Sequence, residues 1–338
     1  MSVNMKDVAD LAGVSLSTVS RVINDSNLVS NDTAYKVKKA IKELDYQINE
    51  SARALRTNIT NLVGIIGAGM DNPFLTKTLK SMEAEAIKEN YNIIYGDSDG
   101  ELEQELYYIN MLKQKKVDGL IIITAKFSEE LIEMVRSIQI PTIFASGYIK
   151  NPDLAAVTVN NVKAAEDVSD YLFNFSDHFG IIRGPYKDSV ASEERMIGVS
   201  NKYREKNVKL KKKYISEGDF SYESGYKAAQ KLFKNNNDLK SIFSFSDQMA
   251  IGAMRYCYDN NIQIPEEVSI VGFDDIEVAR FTKPSLSTIS QSGAELGVKS
   301  MKLLLKLMNN ESITNYKEFV SHKLVIRESS KSINTIKS

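Results

Sequence analysis

Residues Lys6 to Asn24 read KDVADLAGVSLSTVSRVIN, and how this stretch folds decides how the rest of the chain is understood. It reads as two short helices across a tight turn. Val8 and Leu11 of the first helix pack on Val19 and Val22 of the second, and Gly13 sits where the turn needs a residue tolerant of positive φ. Ser15 falls at the N-cap of the second helix, where its hydroxyl accepts from a free backbone N–H. The outward face of that helix carries Leu16, Ser17, Thr18, Ser20 and Arg21, mostly short side chains ending in one arginine. A helix lying in a major groove must bring its N-terminal side chains within reach of base edges, and short residues permit that approach. Arg21 then serves a guanine or a phosphate. The alternative is an amphipathic pair whose polar face is simply wet.

The whole string resembles the helix-turn-helix of the LacI/GalR family of bacterial transcription regulators, in the turn glycine, the AGVS turn and the TVSRVIN helix. The resemblance implies that Ser15, Leu16, Ser17, Thr18, Ser20, Arg21 and Asn24 meet operator double-stranded DNA.

Bulk properties frame this reading. A chain of 338 residues is long enough for two or three well-buried cores. Its 43% hydrophobic and 26% charged residues are those of a globular protein. No run of about 18 apolar residues occurs, so no membrane span is expected. Asp7 and Asp10 interrupt the N-terminus before any export signal forms, and the lone Cys257 cannot make an internal disulfide, so a cytoplasmic setting is expected. Over residues 1–61, eight Lys and Arg stand against seven acids, leaving +1 of a whole-chain net charge of −1. The case for DNA therefore rests on motif and placement rather than on bulk electrostatics. The head's cations do cluster, at Lys36 to Lys42 and at Arg53 to Arg56, where they meet phosphates or solvent.

Ser30 begins a third helix as its N-cap, with Asp32 in the first turn and Ala34, Val37, Ile41 and Leu44 at helical spacing. That stripe closes a three-helix core over residues 1–48. Residues 49–57 read NESARALRT, a potential helix too short to stand alone in water. In the family resemblance the segment 49–61 matches the hinge helix, in which Arg53 binds DNA and Leu55 is the wedge levered between base pairs of the minor groove. Two departures stand here. Ile48 replaces the family's usual proline, and Glu50 brings an acid close to DNA.

From Leu62 the chain alternates short apolar strands with amphipathic helices. Strands are expected at 62–66, 92–95, 119–124, 142–145, 156–159, 179–183, 214–217, 242–245 and 269–273. The alternation predicts an α/β body with parallel sheets and right-handed crossovers, and its length demands two sheets. Ligands in such sheets bind beyond the strand C-termini, so the loops at 67–74, 124–127, 146–148, 184–187, 245–248 and 273–275 should face one cleft.

This body is similar to the two-lobed, periplasmic-binding-protein-like core that the family carries, with lobes joined by three crossovers over residues 62–338. The first lobe takes about 62–160 and 293–320, the second about 161–290 and 321–330. The resemblance places an effector-gripping Arg195 in Glu194-Arg195-Met196-Ile197-Gly198. It places a polar contact, Ser246 or Asp247, in SFSDQMA at 244–250, and a sugar-binding carboxylate, Asp274, in VGFDD at 271–275. Phe74 and Phe220 would cover the apolar face of a pyranose-like ring or pack in the core. Ser146 stands where some sugar-responsive members carry aspartate. Residues 91–119 look like the catabolite control protein A subgroup, which implies seryl-phosphorylated HPr as a partner beside a sugar or sugar phosphate. Where that docking surface has a tyrosine and an arginine, this chain has Ala294 and Lys302, and an arginine's fork is not replaced by lysine.

The enzyme alternative, a sugar- or nucleotide-metabolising α/β enzyme, finds little support. Gly64, Gly67 and Gly69 accompany the first strand, but a dinucleotide fingerprint would need its last glycine where Asn72 stands, and Asn72-Pro73 reads better as N-cap and first helical residue. His178 and His322 are expected in structural roles, with no metal site and no cofactor. The expectation is a homodimeric repressor of carbohydrate or carbon-catabolite genes that reads a pseudo-palindromic operator and is not an enzyme.

Overall fold

The computed structural model describes residues 3–23, 28–46, 59–67, 69–70, 72–124, 127–146, 153–185, 189–313 and 316–332. The chain divides into two compact units, 1–60 and 61–338.

The first unit holds α1 (Met5–Ala12), α2 (Leu16–Ile23) and α3 (Asn31–Glu43). Asn4 opens α1 with a capping box: its Oδ1 accepts from the Lys6 amide at 2.8 Å, and Asp7 Oδ2 accepts from the Asn4 amide at 2.8 Å. Gly13 closes α1 with φ 67°, the left-handed conformation expected of it. The core is Val8, Ala9, Val19, Val22, Val37 and Ala40. Leu11 is a correction: it is 48% exposed, because the buried face of α1 runs through Met5, Val8, Ala9 and Ala12, and Leu11 lies around the helix from that stripe. Ser30 caps α3 as expected, accepting from the Thr33 amide at 3.3 Å. Of the hinge expectation at 49–61, residues 49–58, with Arg53 and Leu55, lie outside the described residues, as does Asn24.

The second unit carries two six-stranded sheets. Its elements, in chain order, are β1 (Leu62–Gly67), α4 (Pro73–Lys88), β2 (Asn92–Asp97), α5 (Leu102–Gln114), β3 (Gly119–Ile123), α6 (Glu129–Ile138), β4 (Thr142–Ala145) and β5 (Ala155–Val159). There follow α7 (Asn161–Leu172), β6 (Gly180–Arg183), α8 (Val190–Glu205), β7 (Ile215–Glu217), α9 (Tyr222–Asn235), β8 (Ser241–Ser244), α10 (Asp247–Asp259), β9 (Ser269–Asp274) and β10 (Ser287–Gln291). The chain ends through α11 (Gly293–Met308), β11 (Lys317–Val320) and β12 (His322–Val325).

The first sheet runs β11-β5-β4-β3-β1-β2 and is parallel throughout. The second runs β12-β10-β9-β8-β6-β7, with only β12 antiparallel. Both faces of the first sheet are covered. Ile121 and Ile123 of β3 join one apolar cluster while Leu120 and Ile122 join the other, the period-2 split of a strand buried on both sides. Every described α-helix of this unit except α5 starts on a Ser or Asn cap.

The nine expected strands stand, each within a residue or two at its ends. Three more were not expected. β10 reads STISQ, with Ser287, Thr288 and Ile289 all fully buried, and its hydroxyls hide a core strand behind a polar sequence. β11 and β12 are four-residue edge strands, each carrying a lysine. The chain passes between sheets three times: after β5, after β10, and at Ser321 between β11 and β12.

Candidate functional site

On the head, α2 buries Val19 and Val22 and packs Ile23 against the same core, which leaves its remaining residues on the outer side. Ser15 caps it: its hydroxyl accepts from the Thr18 amide at 3.1 Å and lies 2.7 Å from the Ser17 hydroxyl and 2.8 Å from that of Thr18. Ser15, Leu16, Ser17 and Arg21 are exposed, and Thr18 and Ser20 partly so. Leu16 is half exposed at the helix start, where an apolar side chain suits a thymine methyl. Of the lysines on α3, Lys36 pairs with Asp32 at 2.8 Å, while Lys38, Lys39 and Lys42 are exposed.

In the second unit, a cavity of about 560 Å³ opens between the two sheets at the C-terminal ends of their strands. Phe74, Arg195, Phe220, Ser246 and Asp274, five of the six expected effector residues, line it. The sixth, Asp247, does not. It is fully buried, its Oδ2 accepting from the Ile276 amide at 2.9 Å and its Oδ1 from the Thr288 hydroxyl at 2.6 Å. Ser246 lines the wall while capping α10 through the Met249 amide at 3.2 Å. Four N-caps, Asn72, Ser189, Ser221 and Ser246, meet at the cavity, which is the reason the loops leading to them form its wall. Asn72 with Pro73 caps α4 as the sequence predicts, Asn72 Oδ1 accepting from the Phe74 amide at 2.9 Å.

Arg195 stands on α8 and is 5% exposed. Its Nε donates to Asn161 Oδ1 at 2.9 Å, its Nη1 to the Phe245 carbonyl, and its guanidinium lies 3.5 Å from the centre of the Phe273 ring. Burial lowers its pKa to about 10, against the opposing pull of Asp274, Glu194 and Asp247, so it stays charged at neutral pH. Asn161 also donates from Nδ2 to Glu194 Oε2 at 2.9 Å. The glycine of the Glu-Arg-x-x-Gly motif has a packing reason: a Cβ on Gly198 would stand 2.3 Å from the Val162 carbonyl, so only glycine lets α8 close on α7.

Asp274 ends β9 with φ 123° and Asp275 follows at φ 56°, two non-glycine residues in left-handed backbone beside the cavity. Asp275 is held by Arg327 Nη2 at 2.6 Å. Gln291 Nε2 donates to Asp274 Oδ1 at 2.5 Å. Burial raises the Asp274 carboxyl above its ordinary range, while Arg195 and the Gln291 bond pull it back. Asp247 is raised further, first by burial and then by the Asp274 charge. Phe220 also sits at positive φ, 72°, and its ring lies over Gly184, where a Cβ would meet it at 2.2 Å.

Ser146, at φ 67°, and Thr124 complete the first lobe's wall together with Asp99 and Glu101. Sequence reasoning missed the wall after β2, and it missed Asn161 and Gln291, which act by holding the two charged residues. His178 stacks on Tyr214 at 4.7 Å and His322 bonds Asp167 at 3.0 Å, both outside the cavity. Cys257 is buried and its thiol pushed up to about 12.

A helix-turn-helix head and a two-lobed binding core on one chain define a DNA-binding transcription regulator. Residues 4–49 match the bacterial regulatory proteins of the lacI family, and residues 176–330 match the periplasmic binding protein-like domain. The regulator RegA of Clostridium saccharobutylicum is 33% identical over 97% of this chain and 99% of its own length. Catabolite control protein A of Priestia megaterium is 31% identical over 98% and 100%, and the repressor PurR of Vibrio vulnificus 31% over 98% and 99%. Among solved structures, the lac repressor dimer bound to operator superposes with a TM-score of 0.89 at 24% identity, over 98% of this chain and 100% of that one, a likeness of fold. The chain belongs to the lacI family of bacterial transcription regulators. Its whole-length relatives are regulators, and the enzyme alternative falls with that.

Proposed function

We propose that this regulator binds a pseudo-palindromic operator as a homodimer and represses genes of carbohydrate use, with an uncharged polyhydroxyl molecule in the cleft as its effector. Residues 1–48 read the half-site through Ser15, Leu16, Ser17, Thr18, Ser20, Arg21 and Asn24. Residues 49–61, with Arg53 and Leu55, act in the minor groove, and residues 62–338 sense the effector and dimerise. Repression is the role named for the PurR relative.

The observation that carries the effector reading is that a buried guanidinium, Arg195, and a half-buried carboxylate, Asp274, line the same cleft wall. Such a pair offers donors and acceptors to ring hydroxyls, while Phe74 and Phe220 supply apolar cover. Among the described titratable residues lining the cleft, Asp99, Glu101, Asp219 and Asp274 outnumber Arg195, and a sugar phosphate would meet that excess of negative charge.

Seryl-phosphorylated HPr is the partner implied by the catabolite control resemblance. On α11, Lys302 lies 3.6 Å from Glu85, a carboxylate that opposes a phosphoserine at that place. The small-molecule reading therefore leads. Calorimetry of the purified protein against neutral mono- and disaccharides, their phosphate esters and seryl-phosphorylated HPr tests it. Heat from neutral sugars, absent in Asp274→Ala, supports it, and heat from phosphate esters or HPr alone refutes it.

A further inference from the structure

Arg195 and Asp274, two of the charged residues of the cleft wall, are each tied to a different inter-lobe crossover. Arg195 is held by Asn161, the first residue of α7 after the chain leaves the first sheet at Val159. Asp274 is held by Gln291, the last residue of β10 before the chain returns through α11. The crossovers are themselves joined. Gln291 pairs in register with His322, which opens β12 directly after the third crossover. His322 Nε2 lies 3.0 Å from Asp167 Oδ2 on α7, and Asp167 also pairs with Lys163 at 2.8 Å. Ser321, within the third crossover, donates to Glu295 Oε2 on α11 at 2.8 Å.

We infer that Asn161 and Gln291 are positioning residues through which occupancy of the cleft reaches all three crossovers at once. A ligand hydroxyl that engages Asp274 must share the carboxylate with the Gln291 amide or displace it, and one that engages Arg195 pulls on Asn161. Gln291 lines the cleft beside Asp274, while Asn161 stands behind Arg195 and is not among the lining residues. The lobes can close only if the three crossovers twist together, and these two side chains give the cleft a grip on two of them directly and on the third through His322. This rests on the cleft being the effector site, but its test needs no effector.

The test is hydrogen–deuterium exchange on the full-length protein and on Gln291→Ala, Asn161→Ala and Asn161→Asp, without ligand. In Gln291→Ala and Asn161→Ala, amides around 159–162, 290–293 and 320–323 should all exchange about three- to tenfold faster, the factor one net hydrogen bond is worth. Amides of β3 and β8 should keep their protection, showing that both lobes remain folded. Asn161→Asp, which keeps the acceptor for Arg195 but loses the donor to Glu194, should fall between the parent protein and Asn161→Ala at all three crossovers. Faster exchange confined to the mutated crossover, or no change at any, overturns the inference. Failure of the sugar titrations with this exchange pattern intact would instead count against the effector reading alone.

Discussion

The carboxylate of Asp247 reaches across β9 to accept a 2.6 Å hydrogen bond from Thr288 on β10, so the start of α10 is pinned to a strand it does not adjoin in sequence. It passes directly over Gly272, where a Cβ would stand 2.2 Å from Asp247 Oδ1. A side chain resembling a ligand contact in sequence is thus a strut within the second lobe. Asp247→Ala should cost about 2–4 kcal/mol, because it strands the Ile276 amide and the Thr288 hydroxyl in the core. Denaturant unfolding measures this, and a variant as stable as the parent would contradict the assignment.

Arg195 makes the opposite case. Arg195→Ala should abolish calorimetric binding of the neutral sugar that the parent binds, and also lower stability by about 2–3 kcal/mol by orphaning Asn161 and the Phe245 carbonyl. Arg195→Lys keeps the charge but cannot span the same acceptors, so it should lose most of the affinity. Retained binding in either variant would remove Arg195 from the effector site.

The Asp247–Asp274 pair predicts a pH dependence of definite sign. Both carboxyls are raised above their ordinary value of 3.8, so their contribution to stability is complete below about pH 4 and is lost as pH rises through the raised values. Asp274→Asn keeps an oxygen for the Gln291 amide but cannot ionise. Its stability should fall less than the parent's between pH 4 and pH 8, by about 1–2 kcal/mol. Parallel thermal-unfolding profiles for the two proteins would refute the shift.

On the head, Arg21→Ala should broaden the selected operator sequence at one position per half-site and weaken specific binding by about 1–3 kcal/mol. Selection from a randomised duplex pool reads this directly. A uniform loss across all sequences would make Arg21 a phosphate contact instead.

Leu55→Ala should leave the body's thermal unfolding unchanged while operator bending disappears and affinity falls. A circular-permutation gel-shift series with an unaltered bend angle would rule out the wedge.

Much of this molecule was legible because its local rules agree with its fold. Gly13, Ser15, Ser30 and Asn72 each took the cap or turn conformation their residue type demands, and the apolar runs of β1, β3 and β4 could be read as two-sided strands without tertiary knowledge. Legibility failed where burial is polar or a side chain acts at a distance. β10 is a core strand written in serine and threonine, satisfied by hydroxyl bonds such as Ser330 Oγ to Ser287 Oγ at 2.7 Å, and no hydrophobic pattern announces it. Asn161 and Gln291 lie 34 and 17 positions in sequence from the charges they hold, a relationship only the folded crossovers create. The sequence leaves Ser246 and Asp247 as alternatives because they are neighbours, and the helix start sends the first to the wall and the second inward.

The last strand of the first sheet has a consequence for biosynthesis. β11 pairs with β5, so the amino-terminal lobe finishes its sheet with a segment translated long after the other five strands, and after nearly all of the second lobe. Until then β5 is an open edge on a growing polypeptide, able to recruit foreign strands. A chain cut short before residue 317 would therefore carry an unfinished first lobe, with the β5 edge uncovered.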